Sequence, residues 1–158
     1  IIAPRHINRI EDIVAETNKS ELKVQIIKSD EAIKNETDVV LINSFGSLNK
    51  YYSYCKNIFI GKSLNKDLIL EGGQNPIEAA RFGCKIYHGP YIYNFLEVYQ
   101  FLKINEISEE INNTETLSSK IIYNLSNQSK IDESKIKKID EFGRNIFDKT
   151  IKKLEKMI

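Results

Sequence analysis

Short apolar runs and amphipathic stretches alternate along this chain almost from end to end. Val39-Val40-Leu41-Ile42 is continuously apolar, the pattern of a strand buried on both faces. Asn57-Ile58-Phe59-Ile60-Gly61 and Lys85-Ile86-Tyr87-His88 also read as strands. Leu22 to Ile26 alternates and carries β-branched residues, which predicts a strand towards an edge. Ile1-Ile2-Ala3, stopped by Pro4, reads as the end of a strand, and Glu106 to Ile111 as a short one. Between them the spacing predicts helices over 7–19, 48–55, 76–82, 93–103 and 114–127. The first has Ile7, Ile10, Ile13 and Val14 on one face; the fourth turns Phe95, Val98, Tyr99 and Leu102 inward. Residues 30–37 read as a loop or a short helical turn and 62–71 as a loop, the second carrying Asp67 and Glu71. After a polar break from Asn127 to Asp132, a final helix over about 133–157 spaces Ile136, Ile139, Phe142, Ile146, Ile151 and Leu154 for one buried face. The alternation implies βαβ units, and so an α/β fold: a Rossmann-like parallel sheet with helices on both faces.

Composition narrows the class without naming a function. With 158 residues there is room for one proper core. The hydrophobic share of 41% and charged share of 28% are those of a soluble globular chain. A formal net charge of +1 argues against a nucleic-acid-binding field, and the Lys-rich last helix reads as a solvated face. No apolar run approaches the roughly 18 residues of a membrane span. Cys55 and Cys84 lie in apolar surroundings without metal-ligand spacing, so they read as free buried thiols of a reducing compartment. The chain opens on an apolar run without an initiator Met, which reads as a piece of a longer protein.

The candidate chemistry gathers where predicted strands end. Gly72-Gly73-Gln74-Asn75-Pro76-Ile77-Glu78 has two glycines for a tight approach, an Asn suited to cap a helix and a Pro suited to its first position. Glu78 falls in the first turn. Such an element can hold an anion on backbone N–H groups and offer a carboxylate to hydroxyls. A nucleotide has both a phosphate and a ribose diol. The plain alternative is a capped connection in which Glu78 merely favours the helix dipole. Pro4-Arg5-His6, Ser44-Phe45-Gly46-Ser47, and Gly89-Pro90 with Asn94-Phe95 also follow strands. In an open α/β sheet, strand carboxyl ends share one edge, so these clusters are expected to converge. Arg5 could fork onto a phosphate or form only a surface ion pair. His6 could donate to a phosphate or act as acid or base, although a lone His is more often structural, as expected of His88. There is no metal-ligand spacing, Walker loop, Gly-x-Ser-x-Gly elbow or Gly-x-Gly-x-x-Gly. A nucleotide cradle without an evident base fits a domain that holds one substrate while another domain supplies the catalyst.

In family order, Pro4-Arg5-His6, Phe45-Gly46-Ser47-Leu48, Gly61-Lys62-Ser63-Leu64, Gly72 to Glu78, and Gly89-Pro90 with Asn94-Phe95 resemble the C-terminal, donor-binding domain of 3-deoxy-D-manno-octulosonic acid (Kdo) transferase. The resemblance covers roughly residues 1–125. It implies a GT-B glycosyltransferase that moves Kdo from CMP-Kdo to a lipid A precursor at the cytoplasmic face of the bacterial inner membrane, without metal or cofactor. Residues 1–158 would be the donor domain, and the acceptor domain, membrane anchor and Glu general base would lie in an N-terminal domain outside this sequence. The resemblance places Pro4, Arg5, Phe45, Gly46, Ser47, Asn75, Pro76, Ile77 and Glu78 on the CMP moiety, with Glu78 accepting from the ribose. His6, Ser63, Gly73, Gln74 and Asn94 are further candidates for the sugar or phosphate. It implies no catalytic residue within this chain. Ser47 stands where the family usually has Glu, Lys62 where it has Gly and Gln74 where it has His. Other expectations are a GT-B enzyme using a nucleoside diphosphate sugar, or a non-catalytic α/β interaction domain.

Overall fold

The computed structural model describes residues 1–28, 31–70, 72–127 and 132–157. Glu71 and most of the polar break after Asn127 lie outside the described residues. The strands are β1 (Val24–Ile27), β2 (Val39–Ile42), β3 (Asn57–Phe59), β4 (Lys85–His88) and β5 (Ser108–Glu110). The helices are α1 (Ile10–Asn18), α2 (Leu48–Tyr52), α3 (Ile77–Arg81), α4 (Leu96–Ile104), α5 (Thr114–Ser126) and α6 (Glu133–Glu155). Single 3-10 turns precede α1 (Ile7–Arg9) and α4 (Tyr93–Phe95), and a third spans Lys66–Leu68. The chain forms two compact units, Ile1–Tyr51 and Tyr52–Ile158.

In the first unit β1 and β2 run parallel, with Val24 opposite Val39 and Ile27 opposite Ile42. Ile2 adds a parallel bridge to Leu41: its N–H donates to Val40 O at 2.8 Å and its carbonyl accepts from Ile42 N at 3.0 Å. Val40, Leu41 and Ile42 are buried, as expected of an uninterrupted apolar strand.

In the second unit β3, β4 and β5 form a parallel sheet in sequence order. Side chains alternate across it. On one face the Tyr87 hydroxyl meets Asn124 and the carbonyl of Lys120, both on α5. On the other the His88 ring lies 4.4 Å from the ring of Tyr99 on α4. Ala79, Ala80, Ile86, Tyr99, Leu102 and Ile139 belong to one buried cluster, which ties α3, α4 and α6 to the sheet. The fold is therefore α/β, with parallel strands flanked by helices. Its strands hydrogen-bond in two sets, whereas the alternation alone predicts one sheet.

Expectations for the last helix and for Cys55 change as well. Of the six apolar positions expected to bury one face of the last helix, Ile139 is buried, and Phe142 stacks on Phe101 with centroids 4.1 Å apart. The Arg81–Asp140 ion pair and the Phe101–Phe142 stack join α6 to α3 and α4, and beyond them Ile146, Ile151 and Leu154 are exposed. Cys84 is buried as expected, but Cys55 is only half-buried. Asparagine and aspartate caps hold the last two helices: Asn113 Oδ1 accepts from Thr116 N at 2.8 Å, and Asp132 Oδ1 from Ser134 N at 3.0 Å. Among the described residues no helix is long and apolar enough to cross a membrane.

Candidate functional site

The clusters read from the sequence occupy the carboxyl edge of the sheet in their own unit. In the first unit Pro4-Arg5-His6 leaves the Ile2 bridge and Asn43 to Ser47 leaves β2. Because bridge and strand are parallel, both segments emerge at the same end. Arg5 and His6 are exposed. The His6 carbonyl accepts from Arg9 N, which turns the chain towards α1. Asn43 N donates to Ile27 O at 2.7 Å, fixing the exit of β2. Ser44 and Ser47 hydroxyls lie 2.7 Å apart, and the Ser47 carbonyl accepts from Lys50 N at the start of α2. At the tip of this turn Gly46 has φ +75° and Phe45 is 74% exposed. An aromatic ring so placed is open to stacking. A separate hollow at this end, lined by Asn8, Glu11, Lys28 and Asn43 among others, includes none of the candidate site residues.

In the second unit three loops meet beyond β3 and β4. The Ser63 hydroxyl donates to Ile60 O at 2.6 Å and accepts from Gly89 N at 2.9 Å, while its carbonyl accepts from Tyr91 N. Ser63 is wholly buried, so its hydroxyl serves to tie the loop after β3 to the loop after β4. Gly89 must be glycine: a Cβ there would lie 2.5 Å from Leu64 Cα and 2.6 Å from the Ser63 carbonyl carbon. The 72–78 loop is drawn into the same junction. Tyr99 OH donates to Gln74 O at 2.9 Å, and a Cβ on Gly73 would contact Ile92 and Ser63. Gly72 has φ +61°, and a Cβ there would lie 2.8 Å from Asn94 Nδ2. Gly72 and Gly73 thus let the loop pack on 92–94, and the close approach they permit is made by protein.

The motif then turns outward. Asn75 Oδ1 accepts from Ile77 N at 3.0 Å, and Pro76 is the N-cap of α3, one position earlier than its expected place inside the helix. Asn75 and Glu78 are exposed and Pro76 is buried. The site therefore presents an exposed carboxylate and carboxamide on a loop anchored by Ser63, Gly73, Gly89 and Tyr99. Tyr99 could not be singled out beforehand, because its inward helical position predicts only core.

Burial sets the electrostatics beneath these loops. It raises the Tyr99 hydroxyl well above its ordinary range. It also raises Tyr52, with the nearby Glu78 carboxylate adding to the effect. Burial holds His88 below the ordinary imidazole value, opposed by its hydrogen bond with Gly89 O, at 2.8 Å from Nδ1. His88 is thus a neutral buried ring under the site, in keeping with a structural part. The Cys84 thiol is pushed up to about 11 by burial; it donates to the Cys55 carbonyl at 2.9 Å. Among the described residues no group of three or more His, Cys, Asp or Glu side chains could hold a metal ion.

No model of a known protein family matches the chain. Among curated proteins it is similar to a 3-deoxy-D-manno-octulosonic acid transferase from Haemophilus influenzae, 33% identical over 115 residues, covering 72% of this chain and 26% of the relative. The corresponding protein of Rickettsia felis is 28% identical over 126 residues, covering 80% of this chain and 26% of the relative. That of Aquifex aeolicus is 25% identical over 158 residues, covering this whole chain and 40% of the relative. The chain thus spans about a quarter of the length of the first two relatives. Among solved structures, the C-terminal CMP-Kdo binding domain of WaaA from Acinetobacter baumannii superposes with a TM-score of 0.75 at 20% identity, covering 87% of this chain and 69% of that one. The chain is accordingly a relative of 3-deoxy-D-manno-octulosonic acid transferases, matched over about a quarter to two fifths of their length, and it shares the fold of a C-terminal CMP-Kdo binding domain.

Proposed function

We propose that residues 1–158 are the donor-binding domain of a Kdo-transferring glycosyltransferase and hold CMP-Kdo by its nucleotide. The observation that carries this reading is the pairing of sequence similarity to Kdo transferases with the fold of a domain described as binding CMP-Kdo. The exposed loops at the carboxyl edges suit the task. Glu78 offers a carboxylate to the ribose diol, and Asn75 stands beside it at the start of α3. Phe45 is open to stacking on the base, and Arg5 supplies a guanidinium for the phosphate. Pro4, Gly46, Ser47, Pro76 and Ile77 shape the backbone around the nucleotide. His6, Gln74 and Asn94 are candidates for the sugar. Ser63 and Gly73 support the reading as positioning residues, because both are buried in the loop junction.

In the reaction, an acceptor hydroxyl attacks the anomeric carbon of Kdo. The bond from that carbon to the CMP phosphate oxygen breaks, and CMP departs with the electron pair. The acceptor proton passes to a carboxylate supplied from outside this chain. This chain's part is to bind the donor and to stabilise the departing phosphate through Arg5. The acceptor is proposed to be a lipid A precursor at the cytoplasmic face of the inner membrane, reached through a separate N-terminal domain.

A titration of the chain with CMP, followed by amide NMR, tests the reading. Saturable shifts are expected at 4–6, 44–47 and 73–78, and Glu78→Ala should weaken binding about tenfold, the loss of one charge-assisted hydrogen bond. Shifts confined to other residues would sink the site. Tighter binding of UDP than of CMP would point to a nucleoside diphosphate sugar.

A further inference from the structure

The chain has two cysteines, 29 residues apart in sequence, and they meet at the amino end of the β3–β4–β5 sheet, within the second unit. Cys84 stands between α3 and β4, and Cys55 closes the turn between α2 and β3. Both are free thiols. The Cys84 thiol points at that turn. It donates to the Cys55 carbonyl at 2.9 Å and lies 3.4 Å from the Tyr52 carbonyl, which also accepts from Cys55 N at 3.3 Å.

This geometry is close to that of a disulfide. A carbonyl oxygen lies about 2.4 Å from its own Cα, so Cys84 Sγ is within about 5.3 Å of the Cys55 Cα. Disulfide-bonded residues hold their Cα atoms roughly 4.4–6.8 Å apart. The pairing of β3 with β4 brings the two backbones into that range. Asn57 is opposite Lys85, Lys56 O accepts from Lys85 N at 2.8 Å, and parallel neighbours stand about 4.8 Å apart. Ionisation of Cys55 acts to raise the Cys84 thiol, which puts the two sulfurs within electrostatic reach. Access differs between them. Cys84 is buried, whereas Cys55 is half-buried at the end of a turn whose Tyr54 is 82% exposed.

We propose that Cys55 and Cys84 are a redox modification site, which a low-molecular-weight disulfide oxidises to an intramolecular disulfide and a dithiol reopens. The Cys55 thiolate attacks one sulfur of the oxidant and expels the first small thiolate. The Cys84 thiolate then attacks the Cys55 sulfur of the mixed disulfide and expels the second. The chain loses two electrons and two thiol protons, and the oxidant leaves as two thiols. The new bond ties the turn after α2 to the junction of α3 and β4. In a reducing compartment, where lasting disulfides are rare, such a pair is a reversible sensor. It uses none of the residues assigned to CMP, so it stands or falls apart from that reading.

The test treats the folded 158-residue chain with oxidised glutathione at about pH 8.5, where thiolate is available, and reads the acid-quenched products by mass spectrometry. The main product is expected to have lost two hydrogens and both free thiols, and to yield one cross-linked peptide containing Cys55 and Cys84. Dithiothreitol should restore the starting mass. Cys84→Ser should stop with one glutathionyl group on Cys55, and Cys55→Ser should leave Cys84 unmodified while the chain stays folded by circular dichroism. If either variant fails to fold, the wild-type product decides the matter by itself. A lasting glutathionyl group on Cys55 of the wild type, a disulfide between two chains, or two unreacted thiols in the folded chain would overturn the proposal.

Discussion

Gly89 shows how much of the candidate site rests on one absent methyl group. Its amide donates to Ser63 Oγ, and the space where a side chain would stand is filled by the backbone of Ser63 and Leu64. Backbone cannot move aside as a flexible side chain can, so Gly89→Ala should destabilise the fold by at least about 3 kcal/mol. Urea unfolding of the variant measures this, and a loss under 1 kcal/mol would show that the loop junction yields. Ser63 makes the same point from the other partner. Its place in a motif suggested a hand in ligand contact, while its burial gives its hydroxyl two protein partners. Nothing local could reveal that, because Gly89 is 26 residues away. Lys62 adopts φ +65°, a left-handed conformation that L side chains rarely take, at a position where the resembling family has Gly.

Among the elements, α6 separates pattern from packing. Its apolar positions recur at helical spacing over its whole length, so helix formation was legible, and Asp132 marks its start. Which of those positions would be buried was not, because periodicity identifies a face and says nothing of how far a partner surface extends. Ile139 is 2% exposed within the core cluster, whereas Leu154 is 51% exposed. Ile139→Ala should therefore cost about 2–5 kcal/mol and Leu154→Ala within about 0.5 kcal/mol, both read from denaturant midpoints. Equal losses would mean that the distal half of the helix is covered as well. The short α3 is the opposite case: five residues, shorter than the 76–82 expected from the spacing, with Asn75 and Pro76 at its start.

For the whole molecule, buried titrating groups set a pH window. His88 has a lowered pKa in the fold, so its contribution is present above about pH 6.5, the ordinary histidine value, and is lost as pH falls below it. Cys84 is raised from 9.0 to about 11, so its contribution is present below pH 9 and is lost as pH rises from 9 to about 11. Burial of Tyr52, Tyr87 and Tyr99 adds to the alkaline loss. Unfolding free energy should be greatest between about pH 6.5 and 9, and a His88→Phe variant should lose the acid limb selectively. An unchanged acid limb would show that His88 does not control it. Sequence by itself determined the order and type of nearly every element, the α/β class and the strand ends where polar clusters emerge. These depend on periodicity, caps and apolar runs within a few residues of one another. Only the tertiary structure decided that the strands pair in two sets, that Ser63 and Tyr99 brace the 72–78 loop, and that Cys84 lies against the turn ending at Cys55. Each of those outcomes brings together groups far apart along the chain, and their distance in space is set by packing rather than by local propensity.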